Sequence, residues 1–268
     1  MNPAAIRWQA RNDYYVFKYT LTAAKRYLGS IAGKRMLDLG CGELFPVTLL
    51  FHSLNLCNII GIDLKPLISS LRSTRAIHDL TIKSFPREIK RFYRHHIYYR
   101  ELQNIAEFPL KFGGLDLRQM DACQMNFADE TFDFVTSNAV FEHVTHVDEV
   151  ISEMHRVMKK GAVSRNVIHL FASLTGGHTV TYSVPGTDFV ALGPTRPWDH
   201  LRGGYVPSGL NRLREKDYKQ LFKDFDILEW YTQCQEPKHF LSPSIRSELT
   251  EYPEEELLKR AIVIVLRK

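Results

Sequence analysis

The chain has 268 residues, 44% of them apolar and 24% charged, enough to bury a full core and too apolar for a disordered chain. The longest uncharged stretch, residues 44–62, contains Pro46, His52, Ser53, Asn55 and Asn58, which a lipid-facing helix would have to bury, so no transmembrane span is expected. The net charge of +5 is concentrated in residues 83–100, where six basic side chains face the single acid Glu88; the remaining acids and bases balance.

The first 13 residues carry Arg7 and Arg11 but lack the apolar core of a secretory signal, so a cytoplasmic protein is expected. Cys41, Cys57, Cys123 and Cys234 are too few and too far apart for a disulfide framework and read as free thiols. Residues 34–40 form a short apolar run ending at a glycine turn and predict a strand. Residues 46–56 predict a helix with Pro46 in its first turn, and residues 57–63 a second buried strand. Strand, helix, strand is the pattern of a parallel crossover.

A helix over 84–103 follows, with Ile89, Phe92, Tyr93, His96 and Ile97 expected on the covered face and Lys90, Arg91, Arg94 and His95 elsewhere. Strands are predicted at 115–121, 132–140 and 166–174. Between the last two, Val147, Val150, Ile151, Met154 and Met158 recur at helical spacing, and Thr145 with Asp148 resembles a capping box. Residues 175–211 are rich in glycine and proline and predict an ordered loop or lid. A helix at 215–222, a strand at 226–232, helical character at 248–259 and a strand at 261–266 complete the chain. The expected organisation is one domain, 1–268, with a basic helical insertion at 83–104 and a substrate lid at 175–211.

Asp38-Leu39-Gly40-Cys41-Gly42 lies between a strand and a helix, where a backbone without side chains lets a ligand approach the sheet edge. Phe45 stands where a dinucleotide-binding motif has its third glycine, which argues against a nicotinamide site. Asp63 ends the second strand, where a carboxylate can accept two ribose hydroxyls, and Asp121-Ala122 ends the third.

Residues 36–42, 61–63, 120–122, 126–135, 137–144 and 153–161, taken in order, resemble the class I S-adenosylmethionine-dependent methyltransferases, specifically the type 11 group. Leu44 replaces a frequent third glycine, and Ala162 departs from a common Lys-Pro-Gly-Gly ending. The resemblance implies a Rossmann-like, doubly wound α/β fold with a seven-stranded sheet whose last strand is antiparallel. It implies S-adenosyl-L-methionine as cofactor, with Gly40, Cys41 and Gly42 under its methionine part and Asp38 reaching its ammonium. It further places the ribose on Asp63, the adenine on Asp121 and Ala122, and the methionine end on the backbone of Asn138. Residues 197–202 and 210–214 are similar to a subgroup from polysaccharide and glycolipid biosynthesis.

An acceptor hydroxyl needs a base, and His143, beyond the fourth strand, sits where the family faces its acceptor; the other reading is that Glu142 and His143 orient the next helix. Arg91, Arg94, His178, Asp199, His200 and Arg212 are candidates for acceptor contact. His143 and His146, with Glu142 and His155 nearby, match neither H-E-x-x-H nor a Cys/His pattern, so no metal is expected. The expected partner is a small-molecule acceptor, anionic or sugar-containing; a nucleic-acid substrate, an anionic membrane surface and a non-catalytic scaffold remain alternatives.

Overall fold

The computed structural model describes residues 3–65, 85–182, 189–191 and 196–268. Its main sheet has seven strands: β1 (Arg35–Leu39), β2 (Asn58–Asp63), β3 (Asp116–Gln119), β4 (Phe132–Asn138), β5 (Met158–His169), β8 (Asp226–Gln235) and β9 (Lys259–Arg267). Their order is β3-β2-β1-β4-β5-β9-β8. β1 pairs parallel with β2, and β2 with β3, whereas β8 and β9 are antiparallel. This is the doubly wound sheet with an antiparallel last strand. A separate hairpin joins β6 (Val180–Tyr182) and β7 (Phe189–Ala191).

The helices are α1 (Pro3–Leu28), α2 (Pro46–Leu54), α3 (Phe85–Ile105), α4 (Val147–Val157), α5 (Glu215–Leu221), α6 (Pro243–Glu248) and α7 (Glu254–Leu258). Among the described residues, no helix is long and apolar enough to cross a membrane. Two compact units can be distinguished, one formed by Met1–Thr136 with Glu153–Val163, the other by Ser137–Ser152 with Ser164–Lys268.

In the first unit, β1 and β2 read as near-continuous apolar runs because both faces are covered, with Met36, Leu37, Leu39, Ile59, Ile60 and Ile62 buried. Gly61 is a packing requirement. A Cβ there would stand 2.6 Å from Thr48 Oγ1 on α2 and 2.9 Å from Leu117 Cδ2 on β3. α1 was not anticipated; it buries Ile6, Ala10, Phe17 and Ala24 and leaves Trp8, Tyr15 and Tyr19 exposed.

Helix α3 turns a different face inward from the one expected. Phe92 and Tyr93 are more than half exposed, whereas Tyr98 and Leu102 are fully buried and Arg91, Arg94 and His95 are half-buried. The inward bases have partners: Arg91 donates to Glu43, Arg94 to Gln9 at 3.2 Å, and His95 Nε2 lies 2.9 Å from Glu43. Paired charges can take the covered face, so hydrophobic spacing located the helix but did not identify its inward side. Ser84 and the segment before it fall outside the described residues.

In the second unit, β5 starts directly after α4 and ends at His169, several residues before the expected end. Residues 170–177 are buried but turn repeatedly, with Ser173 N bonded to Leu170 O and Gly176 N to Ser173 O. A buried turn and a buried strand have the same apolar composition. Trp198 anchors a second core with Leu174, Val180, Leu249 and Leu257, and its indole N–H donates to Ala172 O at 3.2 Å. Of the described part of 175–211, residues 175–180 with Trp198 and His200 are mostly buried, whereas Arg196, Gly203, Tyr205, Ser208 and Gly209 are exposed; residues 183–188 and 192–195 lie outside the described set. Of the helical stretch expected over 248–259, only α7 forms, with Pro253 at its N-cap; α6 precedes it and ends at Glu248.

Candidate functional site

In the first unit, β1 runs into a loop whose Gly40 and Gly42 have φ of 73° and 70°, the left-handed region that favours glycine. The backbone N–H groups of Gly40 and Cys41 both donate to Ile62 O at 2.9 Å, tying the loop to the end of β2. A Cβ on Gly42 would meet nothing within 4 Å, so the loop presents bare backbone to open space. Phe45 takes the N-cap position of α2 in a left-handed conformation, φ 36°, and Leu44 and Phe45 are both buried.

Asp63 Oδ2 accepts from Gly42 N and Oδ1 from Lys65 N, both at 2.9 Å. A carboxylate offers about four lone-pair sites, so these two bonds orient the group and leave acceptor capacity for two hydroxyls. Asp38 does something different. It is buried, and its Oδ2 accepts from Thr48 N at 3.1 Å and Thr48 Oγ1 at 2.7 Å, fixing the first turn of α2. Burial pushes its carboxyl up to about 6 against the pull of those bonds. Cys41 is buried, and burial with Asp38 and Asp63 nearby raises its thiol far above the usual range, which removes it as a nucleophile.

Asp121 lies exposed after β3, its Oδ1 accepting from Cys123 N at 2.9 Å, and Ala122 is half-buried. The loop that follows hangs on Arg156 of α4. All five guanidinium N–H groups are used: on Glu153 twice, on Asp129, and on the carbonyls of Met125 and Phe127, at 2.7 to 2.9 Å.

In the second unit, Asn138 ends β4, and Ala139 follows at φ 55° with its N–H on Val167 O. Phe141–His143 form a 3₁₀ turn that carries Glu142 inward and His143 outward. Asn211 clamps this turn: its Nδ2 donates to Phe141 O at 2.6 Å and Val144 O at 2.9 Å, and its N–H to Glu142 O. Neither carboxylate oxygen of Glu142 has a hydrogen bond of ordinary geometry. Burial pushes this carboxyl up to about 8, although its own N–H and that of His169 favour the charged form.

Beside it stand His169 and His178, with ring centroids 5.2 Å apart, and His143 lies 5.0 Å from His178. Burial, reinforced by neighbouring positive groups, lowers His169 to about 3 and His178 to about 4, so both are neutral near pH 7. His200 is buried, bonded through Nε2 to Phe171 O at 2.8 Å, and burial lowers it to about 4; it organises the loop. Asp199 accepts from Arg202 and from Arg196 N, and the Arg212 guanidinium lies 5.9 Å from the Phe171 ring.

The sequence reading thus found His143 and His178 but not their neighbours. His169 lies inside a predicted strand, Glu142 was weighed as a helix-orienting residue and beside His143, His146 and His155 but not with His169 or His178, and Asn211 carried no assigned role. His146, half of the histidine pair weighed for a metal, is exposed and 4.0 Å from Glu149.

A family model described as a methyltransferase domain matches residues 37–164. Over that stretch, a little under half of its length, the chain is similar to the methyltransferase domain family. The chain is 38% identical over 72 residues to phosphatidylethanolamine N-methyltransferase of Cereibacter sphaeroides, a match covering 26% of this chain and 34% of that protein. It is 43% identical over 59 residues to demethylmenaquinone methyltransferase of Alkalihalophilus pseudofirmus, covering 22% of this chain and 24% of the relative. The chain therefore spans about a third or less of the curated relatives it matches. Among solved structures, YcgJ of Bacillus subtilis superposes with a TM-score of 0.51 at 16% identity, over 94% of this chain and 98% of that one, a likeness of fold. The bare backbone at Gly42 and the remaining acceptor capacity of Asp63 fit the methionine and ribose parts of S-adenosylmethionine, the cofactor that the sequence resemblance implies.

Proposed function

We propose that this protein transfers a methyl group from S-adenosylmethionine to a hydroxyl of a sugar, glycoconjugate or other small molecule. The observation carrying the cofactor half is Asp63, oriented by Gly42 N and Lys65 N with lone pairs to spare. In this reading Gly40, Cys41 and Gly42 pass under the methionine part, Asp63 holds the ribose, Asp121 and the Ala122 backbone the adenine, and the Asn138 backbone the methionine end. Asp38 acts on the ammonium through the loop it braces.

The cofactor supplies an electrophilic methyl group, displaced in line, so the protein's work is to orient the acceptor, exclude water and take a proton. His143, with its imidazole turned outward on the clamped 3₁₀ turn, accepts the hydroxyl proton as the acceptor oxygen bonds the methyl carbon and the sulfur–carbon bond breaks. His178 is the neighbour that packs against it. Asp199, His200 and Arg212 stand second to it as acceptor contacts. Arg91 and Arg94, turned inward, act on an acceptor only by leaving Glu43 and Gln9. The two curated relatives are named for acceptors of unlike chemistry, so similarity to them does not choose one.

Thermal stabilisation by S-adenosylhomocysteine, lost in Asp63→Ala, tests the cofactor half. Equal shifts in both proteins would remove Asp63 from the site. Transfer of a labelled methyl group to a cell extract, followed by mass spectrometry, tests the acceptor half; label on nitrogen, carbon or nucleic acid instead of a hydroxyl overturns it.

A further inference from the structure

Glu142, His169 and His178 form a cluster that methyl transfer itself does not need. One ligand atom from each lies within 4.8 Å of the other two. Glu142 is 3% exposed, its turn is clamped by Asn211, and neither oxygen has a hydrogen bond of ordinary geometry, the N–H groups of Glu142 and His169 acting on it only weakly. A buried carboxyl left so is costly, and its usual explanation is a partner that belongs there.

His169 is oriented by a chain of hydrogen bonds. Thr175 gives its one hydroxyl proton to Glu236 Oε1 at 2.7 Å, so in its 2.8 Å contact with His169 Nε2 the threonine oxygen is the acceptor and the imidazole the donor. The other ring nitrogen of His169 keeps its lone pair. A carboxylate acting through a hydroxyl on the far nitrogen of an imidazole is how proteins fix and strengthen metal-binding histidines. His178 is held at φ 53°, a conformation that costs a non-glycine residue energy and persists where the surroundings impose it.

We propose that Glu142, His169 and His178 bind one divalent first-row transition-metal ion. Two imidazoles and a carboxylate are a donor set for zinc or for iron(II), and three protein ligands leave a position open for an oxygen ligand. Bonds of about 2.0–2.1 Å put tetrahedral ligands roughly 3.3 Å apart, so binding draws the three groups closer than their outer limit of 4.8 Å. The neighbouring His143 ring stays outside this set as the proton acceptor. The site binds its ion whether or not the acceptor is a hydroxyl.

The test uses the full chain, stripped with a chelator and dialysed against Zn²⁺ or Co²⁺ alone, with metal content measured by mass spectrometry. One ion per chain is expected, with Co²⁺ ligand-field absorption saturating at one equivalent. Glu142→Gln and His178→Gln, which keep shape, should each weaken binding by about tenfold or more, while His239→Gln, outside the cluster, should not. Less than ~0.1 ion per chain in the wild type, or unweakened binding in both cluster variants, overturns the proposal. Should the variants not fold, X-ray absorption of the wild-type complex decides: two imidazole nitrogens support the site, and a sulfur-containing or all-oxygen shell refutes it. The homocysteine-product thermal shift, read on the same samples, keeps a failed metal site distinct from a failed methyltransferase.

Discussion

Tyr98 of α3 donates its phenol hydroxyl to Asp13 of α1 across 2.7 Å, joining the two helices at a largely buried position. Burial raises the Asp13 carboxyl to about 6, against the lowering effect of Tyr98 and Arg94. The unfolded chain ionises near 3.9, so the unfolded state loses its proton first as pH rises. The group therefore costs nothing below about pH 4, and the fold loses stability between about 4 and 6, by up to about 3 kcal/mol before allowance for its partial exposure. Asp13→Asn keeps an acceptor for Tyr98 and should flatten this dependence, making the variant the more stable protein above pH 6. Denaturant midpoints across pH 4 to 8 check it; parallel curves for the two proteins would refute it.

How much of this was legible follows from what each segment buries. β1, α2 and β2 were located within one or two residues because strand and helix periods were interrupted by Gly40, Gly42 and Pro46. α1 escaped because exposed Trp8, Tyr15 and Tyr19 interleave with buried Ile6, Ala10 and Phe17 and blur the amphipathic stripe. The inward face of α3 depended on Glu43, a residue 48 positions from Arg91, and no local pattern contains such a pairing. The Gly40–Gly42 loop was readable because strand, glycines and helix lie in one contiguous motif. The histidine cluster was not, since Glu142, His169 and His178 meet only through tertiary structure, and His169 alone in a strand looks like any other core residue.

Gly61 offers a test of the packing beneath the cofactor loop. An alanine methyl would be 2.6 Å from Thr48 Oγ1, and Thr48 cannot yield freely because Asp38 holds both its hydroxyl and its N–H. Gly61→Ala should therefore destabilise the protein by about 1–3 kcal/mol, the range for overpacking a core. It should also weaken binding of S-adenosylhomocysteine, because Cys41 Sγ lies 3.1 Å from the added carbon. A variant with unchanged melting temperature and affinity would show that α2 and β2 separate more readily than their contacts indicate.

Arg156 makes a distinction between charge and shape. Lysine keeps the charge but offers three donors where the guanidinium uses five, arranged in a planar fork. Arg156→Lys should leave the carbonyls of Met125 and Phe127 without one or both partners, costing about 1–3 kcal/mol. Hydrogen exchange should rise in residues 121–129 with little change in β1, and affinity for the cofactor product should fall severalfold. Protection equal to the wild type across 121–129 would refute the anchoring role.

His143 is the sharpest test of the proposed chemistry, because a hydroxyl is a poor nucleophile until its proton has somewhere to go. Its turn is held by Asn211 through the carbonyls of Phe141, Glu142 and Val144, and none of those bonds uses the imidazole. His143→Ala should accordingly keep its fold and its affinity for S-adenosylhomocysteine while losing roughly a hundredfold or more in kcat, the scale of general-base catalysis. The acid limb of the pH–rate profile should disappear with it. Asn211→Ala gives the complementary case: the imidazole remains but its turn loses two side-chain bonds, so kcat should fall while the acid limb persists. If His143→Ala turns over within a few-fold of the wild type, the proton leaves by another route. His178, 5.0 Å away ring to ring, is then the next residue to replace.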